Sequence, residues 1–310
     1  MINPRMNGFQ EDFPGYSRFD FPDRIIRVTA GEGGETFLII GSEKVALYDC
    51  GMACFAEGVI SNIHEMLDPL ERKVDFLLVS HTHYDHIGAL KNIIDEWPDV
   101  KVVALEKAAK VFQSETAIST MERLGRAAAE TYGVDCVISA RGLRTDIIVK
   151  DGDEISLGDR TIKVYETKGH TDDSVCYMVL PDKILFCCES TGIVRSQNEI
   201  LSSPLKSFRD SIESAKKLKA LDIDSCIVQH YGILPKYYTY QYFDDYIENV
   251  TWEYNLIKKA IKNGLDDEAI VKVHECFFWT EKRKQNQPYP AYNLNVHILI
   301  KQVRKELENN

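Results

Sequence analysis

Between Val74 and Trp97 the sequence passes from a strand to a helix through a turn crowded with metal-binding side chains. Val74-Asp75-Phe76-Leu77-Leu78-Val79 is a short, mostly apolar run of buried-strand length. Ile87, Leu90, Ile94 and Trp97 then recur at three- and four-residue steps, the spacing of one helix face, and Pro98 stops the pattern. In the turn stand His81, His83, Asp85 and His86, three imidazoles and a carboxylate that together suit a borderline-soft divalent cation. A polar loop rich in histidine by chance is the alternative. It is disfavoured because three of the eight histidines in the chain fall here.

Around this turn the order of elements argues for an α/β layered domain. Ile25 to Val28, Thr36 to Ile40 and Val45 to Tyr48 read as strands, broken by glycine-rich turns. Phe55, Val59, Ile63 and Leu67 mark a helix face, and Val102 to Leu105 reads as the next strand. Residues 106 to 133 read as helix, either ordinary scaffold or an insertion roofing a pocket. From Asp146 the period changes to strands: Ile147 to Val149, Glu154 to Leu157, Thr161 to Tyr165, Val175 to Val179 and Ile184 to Phe186. This block predicts a second sheet packed on the first. Ser203-Pro204 is expected to open a helix bearing Leu205, Phe208, Ile212 and Ala215, and Cys226 to Gln229 to form a last strand. The organisation expected is an N-terminal arm over 1–24, a catalytic domain over 25–235 and a helical, aromatic-rich extension over 236–310.

Bulk properties narrow the function. A net charge of −11, with no run of five basic residues, argues against a nucleic-acid partner. The eight cysteines are scattered without a CxxC pair, the usage of buried thiols in a reducing compartment. Met1 to Phe13 has no secretory pattern, and no stretch approaches the roughly 20 apolar residues that span a bilayer. A cytoplasmic protein acting on a small molecule, without a membrane partner, is the expectation.

Two further histidines stand where backbone can bring them to the first turn. His170 follows a glycine after a strand-like run, and His230 ends a strand before Gly232. Alone, each is more often structural than a ligand; taken with the first run, they supply the extra nitrogens that two metal ions need. The ordered set Asp49-Cys50-Gly51, His81-Thr82-His83-Tyr84-Asp85-His86, Gly169-His170-Thr171 and Gln229-His230-Tyr231-Gly232 resembles the metallo-β-lactamase superfamily, whose hallmark is HxHxDH. The resemblance runs from about Ile25 to about Gly232. It implies a four-layer αββα sandwich, here with a helical C-terminal extension. It also implies two divalent metal ions, zinc by default, with iron or manganese fitting the same donors. On this resemblance His81, His83 and His170 hold one ion and Asp85, His86 and His230 the other, joined by a hydroxide and a bridging acid.

One departure stands out. The family's usual bridging Asp follows a Phe-x-Gly; here Leu185-Phe186-Cys187-Cys188-Glu189-Ser190 puts Glu189 at that position. Glutamate offers the same two oxygens on a longer stem, and some sulfatase-like relatives are similar in using it. The competing reading is a Cys188 thiolate. Asp85 is also the candidate to orient or receive a proton. Asp49, Thr171, Cys188 and Tyr231 are candidates to support the ligands or line a substrate pocket, Asp49 by fixing the tautomer of a histidine.

The chemistry expected is hydrolysis of an ester, thioester or lactone-like bond by the metal-bridging hydroxide. A phosphodiesterase or phosphoesterase of the same fold is the alternative, as is a non-catalytic, metal-containing regulator that binds a metabolite. Lactonases often place a Tyr three residues after the bridging acid, where this chain has Gly192. Flavodiiron relatives resemble HxExDH and carry a flavodoxin domain, for which the remaining tail is too short. Single-iron persulfide dioxygenases fit a complete two-metal ligand set poorly. In the extension Tyr237, Tyr238, Tyr240, Tyr242, Phe243, Tyr246, Trp252 and Tyr254 crowd together. They could wall a pocket beside Tyr231 or form a homodimer interface; the plainer reading is a packed helical cap. His64, His274 and His297 fall in helical patterns and are expected to be non-ligands.

Overall fold

Strand residues buried on both faces build two sheets that share one core. The computed structural model describes residues 16–196, 199–286 and 289–308. The first sheet runs in the order β1 (Ile25–Arg27), β2 (Phe37–Ile40), β3 (Val45–Tyr48), β4 (Phe76–Leu78), β5 (Lys101–Leu105) and β6 (Ile147–Val149). In β2 and β3 every residue is buried, as in strands covered on both sides. Leu38, Ile40, Val45 and Leu47 meet the helices α1 (Ala56–Leu67), α2 (Tyr84–Ile87), α3 (Leu90–Glu96), α4 (Glu106–Phe112) and α5 (Glu115–Tyr132). Phe37, Ile39, Ala46 and Tyr48 point the other way, into the space between the sheets.

The second sheet is formed by β7 (Glu154–Ser156), β8 (Thr161–Glu166), β9 (Val175–Leu180) and β10 (Ile184–Cys187), followed after a small hairpin of β11 (Ile193–Ser196) and β12 (Glu199–Leu201) by β13 (Ser225–Val228) and β14 (Gly232–Ile233). Its inner face adds Ile162, Val164, Tyr177, Val179 and Phe186 to the shared core. Its outer face packs on α6 (Phe208–Lys219), α7 (Thr239–Lys262), α8 (Asp267–Phe278) and α10 (Tyr289–Glu308), with the short α9 (Glu281–Asn286) between the last two. The result is the expected αββα sandwich with a helical C-terminal region. Both sheets mix parallel and antiparallel pairs. Residues 1–15 of the expected arm lie outside the described residues. The part that follows lies along β14, where Ile233 N donates to Arg18 O at 3.0 Å.

Four local expectations change. Ile147–Val149 belongs to the first sheet, in parallel register with Val103–Leu105, and not to the hairpin block. The helix expected across Ile87 to Trp97 is two helices. Ala89 N donates to Gly51 O at 3.1 Å, and a Cβ on Gly88 would lie 2.8 Å from Ala53 N, so backbone is drawn to the loop after β3. The helix expected over 106–133 is likewise broken, at Ser114, whose hydroxyl caps α5 by accepting from Ala117 N. Ser203-Pro204 does not open α6. Lys206 N and Ser207 N both donate to Gly169 O, and Ser207 becomes the cap, accepting from Asp210 N at 3.1 Å.

Candidate metal centre

The donors come from four loops at one end of the two sheets. The turn after β4 carries His81, His83, Asp85 and His86, with His83 extended as the N-cap of α2. The loop after β8 carries His170, the turn after β10 carries Glu189, and the end of β13 carries His230 in a left-handed conformation (φ 61°). His170 reaches the centre because Gly169 (φ 131°) passes so close to α6 that a Cβ would lie 2.5 Å from Ser211.

Two sets of donor atoms result. His81, His83, His170 and Glu189 form one, and Asp85, His86, His230 and Glu189 the other, with all atoms of a set within 4.8 Å of one another. Glu189 belongs to both, one oxygen to each. Its Oε2 lies 2.6 Å from His170 Nε2 and 3.8 Å from His81 Nε2. Its Oε1 lies 2.6 Å from His230 Nε2 and 3.6 Å from His86 Nε2. Asp85 Oδ2 sits 3.7 Å from His86 Nε2 and 3.8 Å from His230 Nε2. Cys188 is in neither set. Its buried thiol contacts Thr167 and Cys176, at 3.3 and 3.6 Å, and burial pushes its pKa well up.

The far sides of the rings are held in place. Asp49, fully buried, accepts from His86 Nδ1 at 3.0 Å, Ser80 Oγ at 2.6 Å and Gln229 Nε2 at 3.0 Å. The Ser80 hydroxyl therefore accepts from His81 Nδ1, 3.0 Å away. His170 Nδ1 donates to Ser203 O at 2.8 Å. Each of these three rings is left with Nε2 toward the shared space, the tautomer a ligand needs. Thr171 acts more locally: its hydroxyl pairs with Ser174 at 2.6 Å and closes the loop behind His170. Tyr231 is buried under the Arg18 guanidinium, which stacks 5.3 Å from its ring centroid.

These residues fit divalent cations. His86 Nε2 is buried without a hydrogen-bond partner. His83 Nδ1 lies 3.1 Å from His81 Nε2 and 2.9 Å from His170 Nε2, so three ring nitrogens converge on one space. Burial drives His81 well below its ordinary pKa, and burial with His170 alongside lowers His83 to about 4. Both are thus neutral, the form in which a ring nitrogen can ligate a cation. Burial also disfavours charge on His86, but Asp85, Asp49 and Glu189 outweigh it and raise its pKa well above the ordinary value. Burial alone would raise Glu189; His170, His230 and His86 instead hold it well below the usual carboxylate range. Asp49 is raised by burial against the pull of His86 and Ser80.

Sequence reasoning missed Ser80, Gln229 and Ser203. Ser80 and Gln229 adjoin His81 and His230, so adjacency was the available signal. Nothing local marks Ser203, 33 residues from His170, as its partner.

A profile of the metallo-beta-lactamase superfamily matches residues 30–230. The chain belongs to that superfamily. Within the metallo-beta-lactamase superfamily it is similar to a hydroxyacylglutathione hydrolase of Francisella tularensis subsp. novicida, 27% identical over 56% of either chain. This chain therefore spans little more than half the length of the curated relatives it matches first. It is also similar to a beta-lactamase-like protein 2 homolog of Caenorhabditis elegans, 24% identical over 74% of this chain and 66% of that one. Among solved structures, a superfamily protein of Thermus thermophilus shares the fold at TM-score 0.62, with 14% identity over 90% of this chain and 92% of that one. An archaeal one from Sulfolobus tokodaii does so at 0.58, with 21% identity over 74% and 86%. No described helix is long and apolar enough to cross a membrane.

Proposed function

We propose that this chain is a metal-dependent hydrolase of small ester or thioester substrates. The observation that carries it is Glu189, shared by two donor sets that otherwise differ in every residue. His81, His83 and His170 would hold one ion, Asp85, His86 and His230 the other, with zinc favoured by the nitrogen-and-carboxylate donors and iron or manganese compatible. When bound, such a pair supplies Lewis-acid polarisation of a carbonyl and a water made acidic near neutral pH.

The chain's own residues do the rest. His81, His86, His170 and Glu189 are buried, whereas His83, Asp85 and His230 remain partly exposed, so substrate reaches the centre from their side. Asp85 is the one carboxylate of the centre on that open side, and its Oδ2 is the natural place to hold or pass a proton as a leaving group departs. Asp49 holds His86 in orientation from behind. The thioester preference is supported by the similarity to hydroxyacylglutathione hydrolases, with their shorter shared span.

The test is metal analysis of the purified protein combined with a panel of acyl thioesters, esters and phosphodiesters. Two metals per chain, thioester turnover lost on chelation, and further loss in Asp85→Asn are the expected results. Turnover of phosphodiesters alone would move the assignment to a phosphoesterase. A loaded protein inert on the whole panel but binding one metabolite tightly would make it a regulator.

A further inference from the structure

We propose that one face of α7 sets the relative placement of the two metal-centre loops that carry Glu189 and His170; this rests on reading those two residues as ligands. Tyr242, Tyr246, Asn249 and Glu253 follow one another at steps of four, three and four, which lines them along one side of the helix. All four are buried, Glu253 at 2% exposure. Their polar tips reach past the core to the Glu189 turn and to the stretch that leads into Ser203. Tyr242 OH donates to Thr191 O at 2.7 Å, in the turn that begins with Glu189. Tyr246 OH pairs with the Ser211 hydroxyl, which donates to Ser190 O at 2.7 Å. Asn249 Nδ2 donates to Ile200 O at 2.9 Å, and Glu253 accepts from the Ser202 hydroxyl. The next residue, Ser203, presents the carbonyl that orients His170, 2.8 Å from its Nδ1.

A rigid span of about 16 Å, 11 residues at 1.5 Å each, is thereby registered against the Glu189 turn and against the stretch from Ile200 to Ser203 whose last carbonyl orients His170. Its far end is itself fixed. Glu253 lies 2.7 Å from His274 Nε2 on α8, and His274 Nδ1 lies 2.6 Å from Tyr292 OH on α10. Simple packing would not need this. Phenylalanine and leucine would fill the same volume, and buried polar tips are costly unless every one is paired. The polar face specifies position, so these four are positioning residues for His170 and Glu189.

The experiment compares full-length wild type with Glu253→Gln, Tyr246→Phe and, as a packing control on the same helix, Val250→Ala. Zinc affinity is measured by competition with a chromogenic chelator, ligand-field bands on the cobalt-substituted protein, and thermal midpoint on the metal-free protein. Glu253→Gln and Tyr246→Phe are expected to weaken zinc binding about tenfold and to shift the cobalt bands. Val250→Ala should lower the metal-free midpoint and leave affinity and bands alone. Should Glu253→Gln fail to fold, Tyr246→Phe, which loses only a hydroxyl, carries the comparison. Wild type that binds two zinc ions, with both variants indistinguishable from Val250→Ala, overturns the role of α7 alone. Wild type that takes up no zinc overturns the ligand reading and this inference with it.

Discussion

Two buried clusters of histidine and carboxylate among the described residues are completed in opposite ways. Around Glu253 both nitrogens of His274 have partners, Glu253 on one side and Tyr292 on the other, and the ring stacks on Phe278 at 4.2 Å. Around Glu189 the outer nitrogens are paired, but the inner ones converge and His86 Nε2 has no hydrogen-bond partner. A closed cluster stabilises the fold by itself. An open one leaves ring nitrogens turned toward a shared space, the arrangement that the proposed metal ions would complete.

The sharpest way to break that contrast is to remove each acid or base and read two quantities. Glu189→Ala takes a donor from both sets, and kcat/KM on the best panel substrate should fall about a thousandfold, ~4 kcal/mol of transition-state stabilisation. Stability of the metal-free protein should fall as well, because Glu189 lies 2.6 Å from both His170 Nε2 and His230 Nε2 and is held ionised by them. A loss of activity below tenfold would remove Glu189 from the centre of the argument. Next in size is His274→Ala, which takes the ring partner from the buried Tyr292 hydroxyl and one of the hydrogen-bond partners from the buried Glu253. It should lower metal-free stability by about 3 kcal/mol, read as a shift in urea midpoint at constant slope. His83→Ala, from the open cluster, should change it by less than about 0.5 kcal/mol in the unfavourable direction, because the ring is partly exposed and its removal leaves no buried acid without a partner. Equal losses in the two variants would erase the distinction.

How much of this was legible beforehand depends on the distance over which each interaction acts. The strands of the first sheet and the turn between β4 and α2 were readable, because short apolar runs bounded by turn residues and ligand spacing are written in consecutive residues. The pairing of Ile147–Val149 with β5 was not, since a parallel strand finds its partner more than 40 residues away, with no local mark of which sheet it joins. The break at Gly88 was hidden because the competing acceptor, Gly51 O, lies on another loop. The C-terminal aromatics were the largest ambiguity. Tyr238, Tyr242, Phe243 and Tyr246 are at most 4% exposed within the chain's own core, while Tyr237 and Tyr240 are exposed. Cap packing was the better of the readings weighed, and the homodimer expectation finds no support in these residues. The hydroxyl partners of Tyr246 and Tyr242, 35 and 51 residues away, could not be read from helical spacing.

The closed cluster also makes a pH prediction. Burial lowers the pKa of His274 below its ordinary 6.5, with Glu253 and Glu275 pulling up and Arg283 pushing down. The folded state therefore keeps the ring neutral while the unfolded chain takes up a proton below 6.5, so stability is lost as pH falls from there toward the folded value. His274→Gln should flatten that slope in urea titrations between about pH 7 and 5, the ordinary onset lying inside this range. An unchanged slope would mean that His274 titrates alike in both states.

His64 supplies the opposite sign and the smallest effect. It sits at the surface between Asp68, 3.0 Å from Nδ1, and Glu96, 2.9 Å from Nε2, and hydrogen bonds to these two raise its pKa. Its contribution is complete below the unfolded value of 6.5 and fades as pH rises through the folded one. The ring is 37% exposed, so solvent and salt screen the pairs and the expected gain is under about 1 kcal/mol. His64→Gln should accordingly destabilise slightly at about pH 6, by an amount that shrinks in roughly 0.5 M salt and vanishes by about pH 9. The same imidazole on α1 also lies against Trp97 at the end of α3, with ring centroids 5.2 Å apart. That contact does not depend on the proton, so a loss as large in alkali as at mildly acid pH would show packing against Trp97 to be the real contribution.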